Sequence, residues 1–216
     1  MARLDRLAPV KEMAQVAATL GRQFSQDVLA AVSRVAEISL DVALSQLVEA
    51  ELVYRRGLAP SVIFEFKHAL VQEVAYNSLL RSKRQQLHVE IAGIMEGQFA
   101  ETVAAQPELL SHHYQAAGLP ARAIPYSLRA GDVAVSRYAA AEAAVHYQAA
   151  LDMADGLPPS DDTASARIQA ILKLASVAIS AISSSAICRT LSARGSWRNK
   201  STTASSCAGY CIGSGA

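Results

Sequence analysis

Five histidines are the side chains of this 216-residue chain best suited to proton or ligand chemistry, and their spacing limits what they can do. His68 stands in the stretch FEFKHALVQEVAY, residues 64–76, where an alternating strand pattern stops and a helical pattern starts. An imidazole at such a junction can cap the helix or bond a neighbouring carbonyl. His112 and His113 are adjacent on a helical stretch, so their side chains diverge by about 100° and form no chelate. His88 and His146 have no matching ligand four residues away, and these four read as structural or surface residues. Arg81, Lys83 and Arg84 could touch an anion, but a solvated turn between two helices is the favoured reading. Cys188, Cys207 and Cys211 are the three thiols, and Cys207-x-x-x-Cys211 has no histidine nearby, which disfavours zinc. No P-loop, nucleophile elbow, glycine-rich phosphate cradle or metal motif occurs in the sequence. The chain is therefore expected to carry no catalytic residue, no bound metal and no cofactor of its own.

The elements that would position His68 can be read from periodicity. Val10, Met13, Val16, Ala17 and Leu20 predict a first helix that stops at Gly21, and Ser25 can cap a second helix reaching Val35. Ser39 can cap a third, with Leu40, Leu44, Leu47 and Val48 as its apolar stripe. Leu52–Arg56 and Val62–Phe66 then read as two strands around the turn residues 57–61. Three helices followed by a β-hairpin is the element order of a winged-helix domain. A fourth helix begins at His68, and a capping box at Ser82 and Gln85 predicts a fifth that carries Leu87, Ile91, Ile94, Met95 and Phe99 inward.

Residues 107–158 are alanine-rich and helical, broken at Gly118-Leu119-Pro120. Ala143, Tyr147, Ala150 and Leu151 follow the small–aromatic–small–large spacing of a tetratricopeptide-type helix, with a looser copy at Ala123, Tyr126 and Ala130. The expected fold is mainly α. A winged-helix domain with its following linker helix occupies 1–100, the start of TPR-like helical hairpins 101–160, and a low-complexity tail 161–216. The tail changes character after about residue 173 and is expected to be disordered, with a composition resembling a GC-rich gene read out of frame.

Charge follows the same division. Residues 173–216 hold five Lys and Arg and no Asp or Glu, which leaves 15 basic against 19 acidic side chains, a net −4, for residues 1–172. That balance disfavours nucleic acid, and so does the third helix, which carries Asp41 and Glu49 and no cation to meet phosphates. Arg55 and Arg56 are the only basic feature beside the wing. No apolar run reaches the roughly 18 residues needed to cross a bilayer, and the N-terminus lacks a signal-peptide core, so a cytoplasmic protein with no membrane partner is expected.

The segments RLDRLAPVKEMAQVAATLGRQFS, LDVALSQLVEAELVYRRG, FKHALVQEVAYNSLL, RQQLHVEIAGIME, PELLSHHYQAAG and AIPYSLRAGD together resemble the region that follows the ATPase module in large bacterial STAND-type signalling proteins. Those proteins are often fused behind a class III adenylate/guanylate cyclase domain. The resemblance covers roughly residues 2–172 and places Met1 in the middle of a full-length relative. It implies an upstream nucleotide-binding module as partner, with ATP or ADP and Mg held there. It also implies a protein or small-molecule effector at the helical repeats. In the family a histidine of this region faces the phosphates of bound ADP, and His68 is the matching residue. Ala69 stands where the broader motif has Asp. A DNA-binding winged-helix regulator and a plain TPR-type scaffold are the alternative functions.

Overall fold

A computed structural model describes residues 8–33, 37–57 and 62–193, with backbone alone at 8–9, 37–39 and 180–193. The N-terminal half follows from where apolar residues recur. Helix α1 (Ala8–Leu20) buries Val10, Met13, Ala14 and Ala17 and is closed by Gly21 at φ +133°, whose amide bonds back to the Ala17 carbonyl. Three residues later a short strand, β1 (Gln23–Ser25), leads into α2 (Gln26–Ser33). Ser25 caps α2 as expected, its hydroxyl accepting from the Asp27 amide at 3.2 Å. Val35, the expected end of α2, lies outside the described residues.

Helix α3 (Glu37–Glu49) starts two residues before Ser39, which therefore lies inside the helix and is not its cap. Strands β2 (Val53–Arg56) and β3 (Ile63–Phe66) pair antiparallel, and β1 adds to the other edge of β3, so the sheet order is β1-β3-β2. Register places Phe24 opposite Phe64. Phe24, Phe64 and Phe66 stack on one face, with ring centroids 5.8 and 5.7 Å from Phe24, over Leu40, Leu44, Leu47 and Val53. On the opposite face Glu65 is 8% exposed and lies 3.6 Å from Arg22 and 2.9 Å from Arg56.

The rest is helical: α4 (Ala69–Asn77), α5 (Arg81–Gln98), α6 (Ala100–Ala105), α7 (Pro107–Ala116), α8 (Pro120–Ser136), α9 (Ala140–Asp155) and α10 (Asp161–Ala193). Pro107 and Pro120 open their helices at positions where no intrahelical N–H is needed. The capping box expected at Ser82 and Gln85 does not form, because α5 begins at Arg81 with Leu80 before it. The box that does form is at Ser160 and Thr163, which exchange backbone-to-hydroxyl bonds of 2.8 and 3.2 Å ahead of α10.

Two corrections concern extent. The expected tail from 161 is helical as far as Ala193, because the acids of Asp161 and Asp162 in the first turn and the alanine- and isoleucine-rich run after them sustain a helix. Residues 194–216 lie outside the described residues. Packing also crosses residue 100. One core gathers α1, the sheet, α3 and Ala75 of α4, and the other gathers Ile91, Ala92 and Met95 of α5 with α7 to α10. Helix α2 belongs to both, with Leu29 in the first and Val28 and Val32 in the second. Residues Met1–Val177 form one compact unit and Ala178–Ala216 another. Among the described residues no helix is long and apolar enough to cross a membrane.

Candidate functional site

His68 is the residue at which β3 gives way to α4. Its backbone is extended (φ −128°, ψ 134°), and its carbonyl accepts from the amides of Val71 at 3.0 Å and Gln72 at 3.5 Å. It thus occupies the N-cap position, but its imidazole makes no capping hydrogen bond. The side chain is exposed. So is the outer face of α4 beside it, where Leu70 is 71% and Val74 39% exposed, while Ala75 turns inward. The geometry removes the helix-cap reading of His68 and leaves an accessible ring at the positive end of a helix.

A second group of histidines was not legible from spacing. His88 on α5 and His113 on α7 are both buried, at 1% and 2% exposure, and their Nδ1 atoms lie 2.8 Å apart. One ring must donate and the other accept. The Tyr76 hydroxyl, from the C-terminal end of α4, sits 3.0 Å from His88 Nε2, so three elements meet in one hydrogen-bonded row. His112 stays at the surface with its ring edge-on to His88, centroids 5.8 Å apart. Desolvation, with the nearby His112 and Arg84 charges, pulls His88 down to about 4. Burial, with His88 and His112 nearby, pulls His113 down to about 3. Both rings are therefore neutral at pH 7, and a neutral pair can share the one proton that the 2.8 Å contact requires. The expectation that His88 and His113 are structural agrees with this placement. The expectation that His146 has no partner four residues away is corrected, since Glu142 lies 3.9 Å from its Nε2.

Helices α8 and α9 pack through small residues. Ala123, Ala130, Ala143 and Ala150 are fully buried between helices, and Tyr147 lies over Gly131 with its hydroxyl donating to Asp132 at 2.8 Å. Tyr126 donates to Glu96, and Arg122 pairs with the same carboxylate at 3.0 Å, which ties α8 to α5. No group of three or more metal-ligating side chains occurs among the described residues. Cys188, Cys207 and Cys211 fall where side chains or whole residues are not described.

No family model matches the chain. It is 28% identical over 181 residues to an uncharacterized protein of Rhizobium meliloti (strain 1021), an alignment that covers 83% of this chain and 18% of that protein. The chain thus spans less than a fifth of the length of the curated relative it matches. No solved structure matches.

Proposed function

We propose that this chain is a non-catalytic regulatory part of a STAND-type signalling ATPase. In this reading the three-stranded sheet with α1 to α4 is a winged-helix element that closes on an upstream nucleotide-binding module, and α7 to α10 begin a TPR-like array that receives an effector. The observation that carries it is His68: exposed, without a capping bond, at the first turn of α4, and bordered by the exposed Leu70 and Val74. A buried or bonded histidine would have no reach toward a bound diphosphate. An exposed one at a helix N-terminus favours an anion through both its own N–H and the helix dipole. The much greater length of the Rhizobium relative accords with a partner module on the same polypeptide.

The alternative of DNA binding meets a physical obstacle. The outward face of α3 presents Asp41, Val42, Ser45, Val48 and Glu49, which offers phosphates repulsion and no guanine reader. Arg56 of β2 and Arg22, just before β1, are turned onto Glu65.

The test is His68→Ala in the protein that carries the nucleotide module. A hydrogen bond to a charged group contributes roughly 1.5–3 kcal/mol, so ADP should bind about ten- to a hundredfold more weakly. ATP should be affected less, and basal activity should rise because the closed state is the one destabilised. Unchanged ADP affinity and unchanged basal activity would sink the reading.

A further inference from the structure

At the C-terminal end of α4, away from His68, a solvent-open cleft of about 460 Å³ lies between the α4–α5 junction and the end of α7. It is lined by Tyr76, Arg81, Arg84, Gln85, Gln115 and the Ala116–Gly118 turn. The volume falls within the range of roughly 300–1,000 Å³ typical of small-molecule sites. Its chemistry is one-sided: two guanidinium groups and two carboxamides, and no Asp or Glu on the lining.

Arg84 is held in place by neutral partners. Its Nη1 donates to Asn77 Oδ1 at 2.7 Å, and its guanidinium lies over the Tyr76 ring, 4.9 Å from the centroid. Neither contact cancels its charge, and a guanidinium has five N–H donors, of which this arrangement uses one. Arg81, three residues earlier, faces the same side of α5. Among the described residues no carboxylate pairs with either arginine. Gln85 Nε2 lies 3.5 Å from where a side chain at Gly118 would begin, so the bare backbone of Gly118 (φ +78°) leaves that amide uncovered. The Tyr76 hydroxyl is already engaged by His88, so the donors facing the cleft are the arginines and the amides.

From this arrangement we infer that the cleft is a binding site for a small phosphorylated molecule, with Arg81 and Arg84 clamping its phosphoryl group. Two unneutralised guanidinium groups suit a dianion, and a phosphate monoester is close to dianionic at pH 7. A monocarboxylate would satisfy one arginine and leave the other charge unmatched. The planar fork of each arginine fits two phosphoryl oxygens at once, and the amides supply uncharged donors to the rest of the ligand. The site shares no residue with His68 and does not depend on an upstream module.

The experiment is titration of the full chain with inorganic pyrophosphate at fixed ionic strength, followed by calorimetry and by the amide resonances of Gln85, Gln115 and Gly118. Saturable one-site binding is expected, stronger than that of succinate at the same ionic strength. Arg81→Gln and Arg84→Gln should each weaken it by about tenfold or more, whereas Lys83→Gln, on the same segment but off the lining, should leave it unchanged. Arg81→Gln carries the test if Arg84→Gln disturbs folding, because Arg81 makes no side-chain bond among the described residues. Absence of saturation, equal weakening by Lys83→Gln, or succinate binding as tightly as pyrophosphate would each overturn the assignment.

Discussion

Gly131→Ala places a single methyl group where the packing of α8 on α9 has no room for one. A Cβ built at Gly131 would sit 2.2, 2.5 and 2.6 Å from three carbons of the Tyr147 ring. Carbon atoms in contact prefer about 3.5–4.0 Å, so the ring must retreat by more than about 1 Å. It has little freedom to do so, being 2% exposed and bonded to Asp132 at 2.8 Å. Overpacking of this kind costs about 1–3 kcal/mol, and loss of the bond to the carboxylate about 1.5–3 more. Against that, alanine is favoured over glycine in a helix by about 1 kcal/mol. The net expectation is a loss of about 1.5–5 kcal/mol in urea unfolding. The same substitution at Gly93 on α5 meets open space and should gain about 0.5–1 kcal/mol. The two variants therefore differ in sign for a reason that lies wholly in what the new methyl touches. Adding Tyr147→Ala to Gly131→Ala should remove the overlap, so the double variant should lose less than the sum of the singles. The reasoning fails if Gly131→Ala falls within 0.5 kcal/mol of the parent, or moves in the same direction as Gly93→Ala.

Three further outcomes follow from the packing. Phe66, 1% exposed under Phe24, should cost about 3–5 kcal/mol when cut to alanine, and a loss below about 1 kcal/mol in denaturant unfolding would contradict its place in the core. His88 at about 4 and His113 at about 3 lie below the ordinary 6.5, so the unfolded chain binds more protons as pH falls from about 6.5 toward 4. Their stabilisation is full above pH 6.5 and shrinks on acidification, on the order of 2 kcal/mol per ring between pH 7 and 5. His113→Asn should flatten that dependence, and a urea midpoint as steep in the variant as in the parent would count against the pair. Ser160→Ala should remove the cap of α10 at a cost of about 1 kcal/mol, visible as a drop of roughly 2–4 °C in thermal midpoint.

Local rules made some of this structure readable in advance. The alternation at Phe64 and Phe66 marked a strand with one buried face, and Gly21 marked the end of α1, because both depend only on neighbours in sequence. Strand β1 was missed because three residues are too few to show alternation, and its pairing comes from β3, forty positions on. The helix through residues 173–193 was missed for a related reason: serines and alanines without a clear apolar stripe give periodicity nothing to detect, yet they do not oppose a helix already started at Asp161. At the site, the position of His68 at a strand-to-helix junction was legible, and its exposure was not. The meeting of His88 with His113 could not be read from spacing at all. It depends on which faces of α5 and α7 touch, and no signal shorter than the fold contains that. Arg81 and Arg84 were visible as a basic turn, but the missing carboxylates that leave them unneutralised are a property of three dimensions.

Helix α2 gives Leu29 to one core and Val28 and Val32 to the other. It is eight residues long, about 12 Å, too short to bend between its two duties. A tilt of the sheet half drags those two valines through the helical half, where Ile91 and Met95 are buried in the same cluster. Separation would have to wet valine surface on one side and open a void on the other. The helix therefore works as a coupling pin: the two halves transmit load to each other in the way a gear shaft does, and calorimetry should record their melting as one event.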